Sequence, residues 1–360
     1  MVQRELQREA EGVLRSILDG FTDLHVELSA CPADNPPDFT VDVVSRGARF
    51  RLAVQAKSRV TPQTALSACH QFRSVSQGAI PVIFSPTISP RVAEILREQG
   101  IGYADRAGNC WLRGSHEHLL IERQGFRAQR QVTPAAADPF STKSSRIVRA
   151  LLSRPTQGWR VRELANDSEV HVSAGLVVKV KRALVEEGYA VERDGKLYVR
   201  EPVDLLKAWS QKYSGPVAET PLYFRRDIAA AEQAVSQWSR ANSLQYALAG
   251  FSAAWRLAPA VRYSVAAVYV DDAGFDPKLL DQLAAEYGGR PVDTGPNLLL
   301  WRAFDRSVFA GTVKAGESEQ PVTSALQTYL DLSHLGGRAE DAAKALLEKH
   351  LGPEFTAIVT

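Results

Sequence analysis

Two groups of residues in this 360-residue sequence have types and spacings that could do chemistry. The first is Asp38, which follows Pro37, together with Gln55 and Lys57. Alternate side chains of an extended strand share a face, so Gln55 and Lys57 point the same way. A carboxylate beside a second oxygen donor can hold a divalent cation, and a neighbouring lysine can position or activate water for hydrolysis. Gln55, however, offers a neutral oxygen where Mg²⁺ prefers a hard anionic ligand. That leaves Asp38 as the one strong ligand, with Asp42 as an extra. The expectation is no catalytic residue and no cofactor. The alternative is a nuclease using Mg or Mn through Asp38, Gln55 and Lys57. The second group is cationic: Lys179, Lys181 and Arg182, preceded by Ser173 and followed by Arg193 and Lys196. Lys and Arg flanking a helix and a hairpin meet phosphates, while residues early in the helix reach base edges. Duplex DNA is the expected partner of these six residues.

Lesser polar clusters carry less. His116 and His118 would share a strand face, but a zinc site needs further ligands and none is near, so no metal site is expected. Asp105-Arg106-Ala107-Gly108-Asn109 reads as a compact turn, because Asp and Asn bond to local backbone and Gly tolerates positive φ. Contact with DNA or another domain is its alternative role. Cys31, Cys69 and Cys110 are odd in number and far apart, which excludes a disulfide framework and a zinc ribbon and predicts reduced, partly buried thiols.

The cationic group needs elements to hold it, and the central segment supplies them. Ile147, Val148, Leu151 and Leu152 recur at helical spacing over Ser144–Ser153. Val161–Asn166 reads as a short second helix. Ser173 is an N-cap candidate for a third helix reaching Glu187, with Leu176, Val177, Val180 and Leu184 as its buried stripe and Gly188 just past its end. Tyr189–Val191 and Lys196–Val199 flank Asp194-Gly195, a strong hairpin signal. Three helices ending in a hairpin predict a winged helix-turn-helix.

Around it, two Gly/Pro-punctuated stretches, Gln129–Ser141 and Tyr213–Pro221, read as linkers. They predict three domains, at 1–135, 141–212 and 218–360. Charge is uneven among them. Residues 1–135 carry 16 basic and 14 acidic side chains, residues 141–200 carry 12 and 7, and residues 201–360 carry 15 and 19. Positive charge gathers in the shortest stretch, as a polyanion-binding surface requires. In the first segment a helix at Glu5–Leu18 precedes strands at Asp38–Ser45, Arg49–Lys57, Ile80–Phe84, Ile101–Tyr103 and Cys110–Leu112, with helices at Thr61–Ser76 and Ser89–Gln99. In the third, helices are expected at Ile228–Ala241, Pro277–Tyr287, Gln320–Leu332 and Ala339–His350, and a strand at Ser264–Val270. The class is α/β multidomain. No apolar run is long enough to cross a bilayer and the N-terminus lacks a signal peptide's apolar segment, so a cytoplasmic protein with no membrane partner is expected.

Asp38 with Gln55 and Lys57 resembles the PD-(D/E)xK core of restriction-endonuclease-like domains, with Gln55 in the place of the usual carboxylate. Gly250-Phe251-Ser252 before a helix, then the strand SVAAVYV, resembles a nucleotidyltransferase fold. There a Gly-Ser turn contacts a phosphate and two alternating acids hold Mg²⁺. Here the only acids, Asp271 and Asp272, follow the strand and are adjacent. Across the chain, GIGYADRAGNCWL (Gly100–Leu112), VSAGLVVKVKRALVEEGYAVER (Val172–Arg193), DLLKAWSQKY (Asp204–Tyr213), GFSAA (Gly250–Ala254) and LQTYLDLSHLGGRAEDAAKALL (Leu326–Leu347) resemble the AbiEi family of antitoxins and transcriptional regulators of type IV toxin–antitoxin systems. The resemblance implies a repressor that binds operator DNA through its winged helix. It also implies a nucleotidyltransferase-type toxin as functional partner, countered without required direct contact. The long nuclease-like N-terminal segment departs from that family.

Overall fold

Leu6, Ala10, Leu14, Ile17 and Leu18 recur every three or four residues, and all are buried. This stripe lays the first helix, α1 (Val2–Leu18), on one face of a sheet. A computed structural model describes residues 2–21, 24–30, 37–45, 48–62, 64–68, 78–114, 120–125, 137–316 and 319–356. The chain divides into two compact units, residues 1–135 and 136–360, with residues 186–188 grouped with the first.

The N-terminal unit holds a seven-stranded mixed sheet whose spatial order follows the chain: β1 (Leu24–Ala30), β2 (Phe39–Ser45), β3 (Ala48–Ala56), β4 (Ile80–Ser85), β5 (Gly102–Asp105), β6 (Cys110–Arg113) and β7 (Leu120–Arg123). β1–β2–β3 and β5–β6–β7 pair antiparallel, while β3–β4–β5 run parallel. Two-residue alternation sorts the side chains. Leu52, Val54, Val82 and Phe84 face α1, whereas Ala53 and Ile83 pack with Val92 and Leu96 of α2 (Pro90–Glu98). Ser89 caps α2 through Val92 N, and Gly100 follows it at φ +71°. The Asp105–Asn109 loop is a structural clasp: the Asp105 carboxylate accepts from Asn109 N (2.9 Å) and Nδ2 (2.8 Å), and Arg106 pairs with Glu9. Much of the expected 61–76 helix, the Arg46-Gly47 turn, Cys31, Cys69, His116 and His118 lie outside the described residues. Cys110 is buried, and loss of hydration pushes its thiol up to about 11.

The C-terminal unit begins with three helices, α3 (Thr142–Ser153), α4 (Val161–Asn166) and α5 (Ala174–Glu186). A two-stranded hairpin, β8 (Ala190–Arg193) and β9 (Lys196–Val199), and then α6 (Pro202–Ser210) follow. A second mixed sheet comes next: β10 (Ala218–Tyr223), β11 (Tyr246–Ala249), β12 (Ala266–Val270), β13 (Arg290–Pro291), β14 (Leu298–Arg302), β15 (Val313–Ala315) and β16 (Gln320–Val322). Its spatial order is β13-β10-β14-β12-β11-β16-β15. Helices α7 (Ile228–Ala241), α8 (Gly250–Leu257), α9 (Pro277–Glu286), α10 (Ala325–Leu335), α11 (Arg338–Leu346) and α12 (Gly352–Thr356) complete it. The structure departs from expectation twice here. Residues 218–221, the end of the stretch read as a linker, belong to β10, whose register with β13 covers Leu222 and Tyr223, so Pro221 sits where a missing N–H is tolerated. The helix expected from Gln320 starts at Ala325, because Pro321 and the β-branched pair Val322-Thr323 favour a strand and Ser324 then caps the helix through Gln327 N.

One apolar core runs through α3, α4, α5, the hairpin and α6 and continues into α8, α10 and α11. Polar contacts reinforce this joint from α3. Arg146 forks onto Asp305 (Nε–Oδ1 2.9 Å, Nη2–Oδ2 2.5 Å). Arg149 is buried over the Trp209 ring, 5.1 Å from its centroid, and donates to Gln327 Oε1 (2.6 Å). Gln327 Nε2 in turn donates to Asp331 Oδ1, which also accepts from the hydroxyls of Tyr213 (2.8 Å) and Tyr269 (2.9 Å). Asp331 Oδ2 has no partner. Desolvation outweighs these donors and pushes the carboxyl up to about 7. A carboxyl raised on folding favours the protonated native state. Its contribution is complete below the ordinary carboxylate range and is lost as pH rises through about 7. The Asp331→Asn variant keeps the acceptor oxygen and does not titrate. Between pH 5 and 8 the wild-type melting temperature should therefore fall relative to the variant's, by a difference worth on the order of 3 kcal/mol across that window. Parallel melting curves across that range would contradict this account.

Candidate nucleic-acid interface

The three helices and hairpin fold around Ile147, Val148, Leu151, Leu152, Leu164, Val177, Val180, Leu184, Leu197 and Val199, all at most 2% exposed. Trp159 exchanges backbone hydrogen bonds with Leu197 (2.9 and 2.8 Å), adding a strand-like bridge to the hairpin. Gly158 is needed beside it, since a Cβ there would run into the Tyr198 ring. Asp194 (φ +52°) and Gly195 (φ +70°) both take the left-handed conformation, as a type I′ hairpin turn requires. Arg154 closes the α3–α4 corner. Its guanidinium lies 4.5 Å from the Trp159 ring centroid and forks onto Asp167 (2.7 and 3.1 Å), which holds that carboxyl below its usual range.

Burial of Val177, Val180, Ala183 and Leu184 decides which residues of α5 face solvent: Ala174, Gly175, Val178, Lys179, Arg182 and Val185. Lys179 and Arg182 therefore lie exposed on one side of the helix. Lys181 has a different place. It is half-buried, and its ammonium pairs with Glu192 of β8 at 2.9 Å, fastening the hairpin to α5. Ser173 is exposed, and its Oγ accepts from Leu176 N (3.2 Å), so it caps the helix. Arg193 is exposed at the end of β8 and Lys196 is half-buried at the start of β9. The structure thus brings five of the six expected residues onto the helix or hairpin surface and gives Lys181 a tethering role.

Sequence reasoning missed two features. Arg160 and Arg162, at the start of α4, are exposed cations beside this unit. Val178 and Gly175 also lie on the outward face of α5, and the spacing 175, 178, 182 is the signal that could have found them. The charge tally misleads in the other direction. Of the 12 basic residues in 141–200, Arg146, Arg149, Arg154 and Lys181 are committed to internal partners and cannot serve a ligand without breaking them.

In the N-terminal unit, Asp38 and the Gln55–Lys57 strand end do come together. Asp38 N donates to Val54 O (2.8 Å), and Asp38 Oδ2 accepts from Ala56 N (2.7 Å). Gln55 Oε1 is shielded and has no partner. Two amides from α1 face the same place: Gln3 Nε2 donates to Ala56 O (3.0 Å) and Gln7 Nε2 to Asp38 O (3.3 Å). Donors on those carbonyls compete with a cation for the same lone pairs. Asp42, the extra ligand, is forked by Arg51 (2.8 and 3.1 Å), whose hydrogen bond holds its carboxyl below the ordinary range. Among the described residues no three His, Cys, Asp or Glu side chains group to hold a metal. In the second sheet, Ser252 is fully buried and its Oγ accepts from Ala267 N (3.1 Å), so it faces no solvent-borne phosphate. Asp271 Oδ2 accepts from Gln245 N, and Asp272 reaches Arg302 at 3.4 Å, so the two acids diverge.

The fold class is thus α/β with two mixed sheets, joined to a small helix-and-hairpin unit. No described helix is long and apolar enough to cross a membrane. Residues 198–352 match the family described as a transcriptional regulator, the AbiEi antitoxin of type IV toxin–antitoxin systems. The match begins within β9, after α3, α4 and α5. No curated protein and no solved structure matched the chain. With one strong carboxylate, a neutral amide and capped carbonyls at the Asp38 site, incubation of the full chain with duplex or single-stranded nucleic acid plus Mg²⁺ or Mn²⁺ should yield no cleavage. Metal-dependent cleavage lost in Lys57→Ala would reverse this conclusion.

Proposed function

We propose that the protein is a DNA-binding transcriptional regulator that acts as the antitoxin and autorepressor of a type IV toxin–antitoxin system. In this reading residues 141–200 are a winged helix-turn-helix, α5 is the recognition helix and the β8–β9 hairpin is the wing. The observation that carries it is the solvent-facing pair Lys179 and Arg182 on a helix whose opposite face is locked in the core. The wing bearing Arg193 and Lys196 is fastened to that helix by Lys181–Glu192. Such a unit places helix residues in the major groove and flanking cations on phosphates. The family match supports the regulatory role and is independent of this geometry, since it starts beyond α5. The partners are operator duplex DNA and, as a functional counterpart, a nucleotidyltransferase-type toxin. In the same reading the N-terminal unit is an inactive restriction-endonuclease-like scaffold and the second sheet a nucleotidyltransferase-like domain without its acids.

Electrophoretic shift with the DNA upstream of its own coding sequence tests this. The wild type should retain duplex with an affinity that falls steeply as salt rises, because bound cations release counterions. The double change Lys179→Glu/Arg182→Glu should abolish the shift while leaving thermal unfolding within about 0.5 kcal/mol of wild type, as expected for exposed positions. Equal retention by wild type and variant, or no salt-sensitive binding at low ionic strength, would overturn the proposal.

A further inference from the structure

The outward face of α5 is not uniformly cationic. Val178 is 48% exposed, whereas its neighbours Val177 and Val180 are at most 1% exposed. It lies beside Lys179 and one turn before Arg182. One turn earlier stands Gly175, also exposed. An added Cβ at Gly175 would meet nothing within 4 Å, and its backbone is not left-handed. A helical glycine costs stability relative to alanine, and nothing among the described residues requires this one. Both residues fall in the N-terminal half of the helix, the part that approaches base edges in helix-turn-helix proteins.

We infer that Val178 reads the 5-methyl group of a thymine in the major groove, with Gly175 allowing the helix backbone to approach the base edges closely. This inference rests on the DNA-binding reading above and specifies its ligand. Among the four bases only thymine presents a methyl group in that groove, and apolar side chains are its natural partners. Lys179 and Arg182 supply the cations that hold the helix against the phosphate-lined walls. The same surface does not suit RNA, whose A-form major groove is too deep and narrow for side chains and whose uracil lacks the methyl. The ligand is therefore a thymine-containing DNA duplex.

The test uses the full chain. A randomised duplex library is selected for the tightest binder, and each thymine of that duplex is then replaced in turn by deoxyuridine, which removes only the methyl. Replacement of one thymine should weaken wild-type binding about fourfold, the value of one buried methyl-sized group. Val178→Ala should bind the thymine duplex more weakly and be indifferent to that replacement. Gly175→Ala should raise the melting temperature and yet weaken binding. If wild type binds every deoxyuridine duplex as tightly as the parent, or if Val178→Ala responds to the replacement as wild type does, the inference is overturned. A chain that selects no duplex at all removes the DNA-binding reading itself, which is a distinct result.

Discussion

Everything proposed for this protein depends on the burial of one stripe along one helix. Val177, Val180, Ala183 and Leu184 are held in the apolar core, and the 3.6-residue period then leaves no choice about which residues of α5 meet solvent. Lys179 and Arg182 are presented because these four are not. The hairpin's place follows from the same helix: Lys181, at the edge of the buried stripe, reaches Glu192 and fixes the hairpin alongside. Such a half-exposed ion pair contributes little to stability, about 0–1 kcal/mol. Its value lies in geometry, since it limits where Arg193 and Lys196 can be.

That core does not stop at the helix-and-hairpin unit. It continues into α8, α10 and α11, and Arg146 and Arg149 extend from α3 into polar sites of the second sheet and its helices. A buried guanidinium such as Arg149 is poor evidence for stability, because desolvation offsets what its partners return. It does impose a specific seating of α3, through Gln327 and the Trp209 ring, on the part of the chain that matches the AbiEi family. The helix-and-hairpin unit and the stretch that matches the family share one packed core, and neither is expected to move freely against the other.

Legibility in the sequence followed the strength of local signals. Asp194-Gly195, the 176–184 stripe and Ser173 were readable because each depends on a few neighbouring residues, and the hairpin, helix and cap are all present. The short strands β10, β14 and β16 were not, since pairing across long sequence distances decides them: β10 looks like a Pro-punctuated linker until β14 is placed beside it. The charge excess of residues 141–200 was readable as a number but not as a surface. Arg146, Arg149 and Arg154 find acidic or amide partners that only folding brings near. At the Asp38 site, sequence alternation located Gln55 and Lys57, yet the amides of Gln3 and Gln7 come from a helix over 30 residues away in the chain.

The most direct test is hydrogen exchange of backbone amides in the full chain, with and without saturating duplex carrying its own upstream sequence. The account predicts added protection at the start of α5, over residues 173–182, and at the hairpin turn, over residues 193–196. Protection confined to the N-terminal unit, or an exchange pattern unchanged by duplex, would contradict it.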